Sequence, residues 1–175
     1  MTLEGDPLDS QRMSIINRRM AAAIEGDFVV FLIGARLTRW WKLPLHFWFA
    51  RAMPKLLDEL RRRPESGFLG GEQLGPTVNV QYWRSIDQLT AYARTQDYGH
   101  FPYWVKFNRK LGKTGDFGIW HETYLVKAGQ YECVYSHMPP FGLGKVGQFL
   151  DATGARATAR GRLGQSDGTD VPAGV

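Results

Sequence analysis

Some segments of the chain carry a strand-like pattern, either a short apolar run or apolar and polar residues in alternation. Others carry apolar residues at spacings of three and four, as in a helix. These patterns predict strands and helices in succession. The uncharged run 28–35 is rich in β-branched and aromatic residues, which predicts a strand buried on both faces. Large apolar side chains over 45–60 recur at spacings of three and four, which predicts a helix that is kinked or restarted at Pro54. Short runs at 67–70 and 77–83 predict two further strands.

Two further helices are predicted in the middle of the chain. Ser85 and Gln88 form a capping box, which predicts a helix over 86–95. Large apolar side chains then share one side of a second helical stretch over 101–111.

The last two predicted strands cover 117–126 and 131–137, and the turn between them indicates a hairpin. The complete order is strand, helix, strand, strand, helix, helix, strand, strand. This order predicts an α+β fold of the ferredoxin-like βαββαβ type with an extra hairpin strand, built as one antiparallel sheet with helices on one face.

The proposed hairpin also predicts which side chains share a face of the sheet. With the turn centred on Ala128 and Gly129, one face carries Trp120, Glu122, Tyr124, Tyr131, Cys133, Tyr135 and His137. The other face carries Phe117, Ile119, His121, Thr123, Leu125 and Val134. Glu122 and His137 become diagonal neighbours, either as an ion pair or proton relay or as part of an interface hydrogen-bond network.

Length and composition favour one globular domain. The chain has 175 residues, of which 43% are hydrophobic and 13% aromatic, enough for a single core. We expect this domain to cover 13–150, with a disordered N-terminus at 1–12. The polar segment 151–175 predicts a disordered C-terminal tail.

Charge and cysteine content exclude several classes of protein. The net charge of +5 favours an anionic substrate or solubility, and no nucleic-acid-binding signature accompanies it. The single Cys133 excludes an intrachain disulfide framework and multi-cysteine metal sites, so we expect a cytoplasmic protein. The longest uncharged run near the N-terminus is far shorter than the about 20 residues of a membrane-spanning helix, so no stable membrane insertion is expected.

Six segments in the same order resemble the fumagillin-biosynthesis monooxygenase-like family, a former domain of unknown function in the dimeric α/β-barrel superfamily. The resemblance covers about residues 20–147. The segments are DFVVFLIG at 27–34, RAMP at 51–54, SGFLG at 66–70, VQYWRS at 80–85, GDFGIWHETY at 115–124 and MPPFGLG at 138–144.

The resemblance implies a ferredoxin-like subunit whose sheet packs against a partner's sheet in a homodimer, with a small-molecule pocket in each subunit. The superfamily includes cofactor-independent monooxygenases, haem-dependent dehydratases and haem-binding or haem-degrading proteins. Fold analogy therefore leaves the chemistry open.

His121 is the first candidate for catalysis, because it lies among apolar neighbours on the face expected to be covered by helices. It is either a general base, the axial ligand of a haem, or a core histidine that a backbone carbonyl satisfies. His100, beside Trp104, is either a residue of the substrate or haem pocket and an alternative haem ligand, or a structural loop histidine. Glu122 and His137 complete the candidate catalytic set.

Aromatic side chains suggest pocket walls. Tyr82, Trp120 and Tyr124 either line a substrate or haem pocket or belong to the core or the dimer interface. The aromatic cluster over 40–49 predicts a lid or a membrane-surface contact. The four histidines lack metal-site spacing, and no glycine-rich phosphate loop is present, so neither a metal nor a tightly bound nucleotide is expected.

Together these features predict a cytoplasmic homodimeric oxidoreductase that resembles cofactor-independent monooxygenases and acts on a small apolar or phenolic metabolite. The alternatives are a haem-binding enzyme of the same fold, dehydratase-like or peroxidase-like, and a non-catalytic protein that binds a small ligand.

Overall fold

A computed structural model describes residues 15–37, 43–95, 105 and 117–165. The predicted N-terminal segment 1–12 and, apart from residue 105, the predicted helix over 101–111 lie outside the described residues.

The described ranges 15–37, 43–95 and 117–165 contain seven strands and four helices, and residue 105 is also helical. The strands are β1 (Ile16–Ala23), β2 (Phe28–Leu37), β3 (Phe68–Leu74), β4 (Val78–Trp83), β5 (Phe117–Val126), β6 (Tyr135–Met138) and β7 (Gln148–Asp151). The helices are α1 (Leu43–Arg61), α2 (Ile86–Arg94), α3 (Leu143–Val146) and α4 (Ala159–Arg162). Short 3-10 turns occupy Pro64–Ser66 and Gly154–Arg156.

The chain divides into two compact units, whereas the sequence predicts a single domain over 13–150. The larger unit is continuous and covers residues 26–128. The smaller unit combines the segments 1–25 and 129–175.

The larger unit confirms the ferredoxin-like prediction. Its four strands lie in the order β3-β4-β2-β5, and every neighbouring pair is antiparallel. With α1 after β2 and α2 after β4, this order is the βαββαβ arrangement. The Ser85 hydroxyl accepts a hydrogen bond from the Gln88 backbone N–H at 3.2 Å, which confirms Ser85 as the N-cap of α2, while Gln88 Oε1 accepts from the Ser85 hydroxyl at 3.2 Å. Helix α1 runs continuously through Pro54, so a restart there is wrong.

The core of the larger unit lies between one face of this sheet and the two helices. Its members are Val29, Leu57, Leu60, Phe68, Trp83 and Leu89. Gly71 allows α1 to approach the sheet, because a Cβ there would lie 3.2 Å from Leu57 Cδ2 and 2.8 Å from the Val80 carbonyl oxygen. We call this side of the sheet the helix-covered face and the other side the open face.

The smaller unit corrects the hairpin prediction. Its sheet has the order β6-β1-β7, and β6 pairs with β1 rather than with β5. All ten residues of β5 pair with β2 instead. The prediction failed because β1 contains two arginines and a run of three alanines, a composition that does not mark a strand. Without β1, the strand at 131–137 had no partner except β5.

The C-terminal segment also differs from the prediction. Residues 148–151 form β7, and the 3-10 turn and α4 follow. The Arg162 side chain, 7% exposed, pairs with Glu132 at 2.8 Å. The prediction of disorder is therefore wrong for residues 151–165, because backbone pairing and arginine contacts hold a segment with little apolar surface. Residues 166–175 lie outside the described part.

Candidate active site on the helix-covered face

The strand register sorts the helix-covered face into three rows. The apolar row consists of Phe68, Trp83, Val29 and Leu125. The middle row consists of Gly71, Gln81, Phe31 and Thr123. The polar row consists of Gln73, Asn79, Ile33 and His121. The face is thus apolar at one end of the sheet and polar at the other.

Asn79 is the most deeply buried member of the polar row, with no exposed surface. Its Nδ2 donates a hydrogen bond to the Glu72 carbonyl at 2.9 Å, which fixes the orientation of the amide. Its Oδ1 has no hydrogen-bond partner within the described part of the chain. A buried acceptor without a partner costs about 1–3 kcal/mol, so a hydrogen-bond donor that gained access to this oxygen would be bound favourably.

Gln73 repeats this arrangement on the neighbouring strand. Its Nε2 donates to the Gly75 carbonyl at 2.7 Å, and its buried Oε1 has no partner among the described residues. Gln73 and Asn79 are paired across β3 and β4. Two adjacent amide oxygens at the same end of the sheet therefore have no hydrogen-bond donor within the described part of the chain.

His121 stands at the other end of the polar row, opposite Ile33. It lies on the helix-covered face, as alternation predicts, and its ring centroid is 5.5 Å from that of Phe31. The imidazole is exposed rather than buried, so it is not a core histidine. Two strand spacings of about 4.8 Å separate it from Asn79, which leaves about 10 Å between the two strands' positions.

The open face carries the other aromatic candidates. Trp120 and Tyr124 point away from the helices, as alternation predicts, and Tyr82 shares their face. Gly34 makes room for Trp120, because a Cβ at Gly34 would lie 2.6 Å from the indole ring. These three side chains therefore cannot line one pocket together with His121.

Glu122 also lies on the open face, where its Oε2 accepts a hydrogen bond from the Tyr124 hydroxyl at 2.5 Å. This hydrogen bond and the nearby negative charge raise the pKa of Tyr124 above its usual value. Because the pKa of Tyr124 is raised from an already high value, the phenol stays protonated at neutral pH and donates to the carboxylate.

The proposed diagonal pairing of Glu122 and His137 is wrong, because the hairpin register on which it rests does not form. His137 belongs to β6, and its Nδ1 lies 2.9 Å from Ser136 Oγ. Its φ of 54° is in the left-handed region, which is uncommon for a residue other than glycine.

Several candidates fall outside the described residues. They are His100 and Trp104 of the predicted pocket, together with residues 40–42 and the side chains of 43–49 in the aromatic cluster. Within the described ranges, no group of three potential metal ligands comes together. Nor does any helix there have the length and apolar character needed to cross a membrane.

Asn79 and Gln73 were not identified from the sequence. Alternation along 77–83 separates two sets of side chains but does not say which set is buried. The missed signal is that Trp83 has the same parity as Asn79 and Gln81, so the large aromatic ring places both amides on the buried side.

A family profile described as Monooxygenase af470-like matches residues 28–143, about two thirds of the chain. The chain belongs to this family. A curated relative, Monooxygenase af470 of Aspergillus fumigatus, is 31% identical over 96 residues, which cover 50% of this chain and 34% of that protein. The chain thus spans about a third of the length of this relative.

Two solved structures share the fold of this member of the af470-like family. An aldoxime dehydratase in complex with butyraldoxime matches with a TM-score of 0.58 and 16% identity, covering 83% of this chain and 42% of the other. A second aldoxime dehydratase structure matches with a TM-score of 0.57 and 17% identity, covering 86% and 44%. At these identities the likeness shows the fold alone.

The segment that matches the af470-like family profile contains the whole polar row. The match begins at Phe28, the first residue of β2, and ends at Leu143 at the start of α3. It therefore includes Asn79 and His121 but neither β1 nor β7. The candidate site lies entirely within the part of the chain that belongs to the family.

Proposed function

We propose that this chain is a monooxygenase-like oxidoreductase that acts on a small apolar or phenolic molecule bound over the polar row, without a tightly bound cofactor. One observation carries the proposal: two buried amide oxygens, without partners among the described residues, share a row with an exposed imidazole. Membership of the af470-like family supports the reaction class.

The two amide oxygens of the polar row that lack partners among the described residues indicate which functional group the substrate carries. Asn79 Oδ1 and Gln73 Oε1 are acceptors, so they favour a ligand that donates through a hydroxyl or N–H group. Phe31 and Ile33 on the same face supply apolar surface for a ring. A phenol combines both features.

His121 is the group that would move protons in this reaction. Imidazole is the side chain best suited to proton transfer near neutral pH. Removal of a proton from the substrate gives an electron-rich anion that reduces oxygen. For a phenol converted to a quinone, one oxygen atom enters the ring, the other leaves as water with two substrate hydrogens, and the substrate supplies the electrons.

The experiment compares two neighbouring residues on opposite faces of β5. Oxygen uptake is measured with a panel of phenols and naphthols for wild type, His121→Gln and Glu122→Gln. We expect His121→Gln to lower kcat by roughly 10²-fold or more, whereas Glu122→Gln changes it by less than about threefold. The reverse pattern would move the site to the open face. Binding of phenols without oxygen uptake would identify a non-catalytic ligand-binding protein.

Haem chemistry is the second candidate, supported by the exposed imidazole on the helix-covered face. The donor set fits, because histidine is a frequent axial ligand of haem iron and Phe31 offers an aromatic contact beside it. His121 would hold the iron, and bound haem would supply redox or dehydratase chemistry. An absorption spectrum of freshly purified protein separates the two candidates. A Soret band that is shifted in His121→Ala and kept in Glu122→Gln supports haem, and a colourless active protein contradicts it.

We also propose that two copies of the chain associate through the open face. Trp120 and Tyr124 are 37% and 50% exposed and lie on the same side of β5, so they form an aromatic surface suited to an interface. The matched part of this chain covers less than half of each aldoxime dehydratase. Each of those chains is therefore long enough to contain two domains of the size of this one. Light scattering tests this proposal. We expect a dimer at micromolar concentration and a monomer for Trp120→Glu, and a monomeric wild type would contradict it.

A further inference from the structure

The smaller unit contains a pocket where two side chains replace a strand ladder. The register of β1 with β6 ends at Met20 and Tyr135, and its continuation would place Ala22 opposite Cys133 and Ile24 opposite Tyr131. The Ala22 N–H instead donates to Cys133 Sγ at 3.3 Å, and that thiol lies 3.5 Å from the Ala22 carbonyl oxygen. Side chains thus hold the two segments apart.

Tyr131 bridges the same gap further along. Its hydroxyl accepts a hydrogen bond from the Ile24 N–H at 2.6 Å and donates to the Ile24 carbonyl at 3.2 Å. The space that results is a pocket of about 220 Å³. Its floor is formed by small or apolar side chains, Ala21, Ala22, Ala23 and Leu150.

Two arginines line the pocket, but they differ in what they can bind. The Arg162 guanidinium is already paired within the protein. Its Nε and Nη2 contact Glu132 at 2.8 Å, and its Nη1 donates to the carbonyls of Arg156 and Ala157. Arg156 is exposed, and its Nε donates to the Asp151 carbonyl at 3.1 Å. In the described part of the chain, Arg156 has no carboxylate partner. The lining therefore carries one uncompensated positive charge.

The size of the pocket limits the ligand. At about 30 Å³ for each water molecule, 220 Å³ corresponds to roughly seven waters, which is smaller than the pockets that hold drug-sized ligands. The volume therefore suits a small organic molecule. Because the Cys133 thiol and Tyr131 hydroxyl are engaged with β1, the guanidinium of Arg156 is the group left to select a charged ligand.

We propose that this pocket binds a small organic carboxylate, with the carboxylate on Arg156 and the apolar body over the alanines of β1. A planar guanidinium matches a carboxylate through two parallel hydrogen bonds. The site lies within the smaller unit and is distinct from the polar row. Residues 156 and 162 lie beyond the segment that matches the af470-like family, so the proposed charge selection is a property of this chain's C-terminal segment.

Cys133 provides a direct test, because it is the single cysteine of the chain and lines the pocket. Iodoacetamide alkylates its sulfur with loss of iodide, and the rate is measured by mass spectrometry with increasing benzoate. At ten times its Kd, benzoate is expected to slow alkylation by roughly tenfold. Benzamide, which has nearly the same shape without the charge, is expected to give no comparable protection.

Matched variants assign the effect to Arg156. Arg156→Gln removes protection by benzoate, whereas Arg160→Gln, an exposed arginine outside the lining, retains it. Titration calorimetry of benzoate with the same variants gives a readout that does not depend on thiol reactivity. Equal protection by benzamide, protection that survives Arg156→Gln, or no measurable heat at millimolar benzoate would each overturn the proposal.

Discussion

Strand β4 joins two environments that differ sharply although both are fully buried. Trp83 and Asn79 each have no exposed surface and point to the same side of the sheet. Trp83 packs into the apolar cluster and contacts the rings of Phe68 and Tyr92, with centroids 5.3 and 5.2 Å away. Asn79 has an acceptor oxygen without a partner in the described part. Burial thus brings close apolar packing at one end of β4 and an acceptor without a partner, among the described residues, at the other.

The largest expected effect is at the apolar end. Trp83→Ala removes the largest fully buried side chain and leaves a cavity, which is expected to lower the free energy of unfolding by about 3–5 kcal/mol. Chemical denaturation followed by circular dichroism measures the loss. Tyr82→Ala, one residue away on the open face and half-buried, is the control with a smaller expected loss. Equal losses would show that the helix-covered face is not the main core.

Gln81 lies between Trp83 and Asn79 on the same face of β4. Its substitution is expected to lower the free energy of unfolding by an intermediate amount. Its Oε1 accepts the hydrogen bond of the Trp83 indole N–H at 3.0 Å, and both groups are buried. Gln81→Leu leaves that N–H without an acceptor, at an expected cost of about 1–3 kcal/mol. In a Trp83→Phe background, which lacks the N–H, Gln81→Leu is expected to cost less. An unchanged cost in that background would show that the hydrogen bond contributes nothing.

The larger unit could be predicted from sequence because its elements carry strong local signals. The apolar run of β2, the three- and four-residue spacing of α1 and the capping box of α2 each reflect burial or capping within one segment. The smaller unit could not be predicted in this way. Its central strand β1 contains Arg18 and Arg19, and its partners come from residues more than 100 positions later in the chain.

The same distinction applies to the candidate site. Alternation along β5 places His121 and Glu122 on opposite faces whatever β5 pairs with, and the structure agrees. The Glu122–His137 pair depended on a register between two strands, which local pattern does not determine. Asn79 and Gln73 could be recognised only after β3, β4 and the helices were placed, because their unpaired oxygens are a property of packing.

The ion pair of Asp27 with Lys127 lies beside the apolar end of the sheet. It is expected to make a small, pH-dependent contribution to stability. The Asp27 carboxylate accepts hydrogen bonds from Lys127 Nζ at 2.7 Å and from the Ala128 N–H at 3.0 Å, joining the start of β2 to the end of β5. These contacts lower the pKa of Asp27 below 3.8 and raise that of Lys127 above 10.5. The stabilisation is therefore present between these values.

This contribution is lost as pH falls through the folded pKa of Asp27, or rises through that of Lys127. Asp27→Asn is expected to lower the melting temperature slightly at pH 7, with a difference from wild type that vanishes in acid. Because the pair is exposed, the loss is expected to be smaller than that of Gln81→Leu. A difference that persists below the folded pKa of Asp27 would show that the Ala128 contact, rather than charge, is responsible.

Asn79→Leu is expected to have the smallest effect on stability and a clear effect on binding. The substitution loses the hydrogen bond to the Glu72 carbonyl, worth about 0.5–1.5 kcal/mol, but it also removes the buried oxygen that lacks a partner in the described part of the chain. These terms oppose each other, so the free energy of unfolding is expected to change by less than about 1 kcal/mol. Under the proposed function, loss of this acceptor is expected to raise the KM for a phenolic substrate, while kcat, which the proposal assigns to His121, changes less. Asn79→Asp is the comparison variant, because it keeps an acceptor but places a buried charge beside the core and is therefore expected to destabilise the protein. A marked loss of stability in Asn79→Leu with unchanged KM would show that the polar row is structural, and that the two ends of β4 do not differ in function.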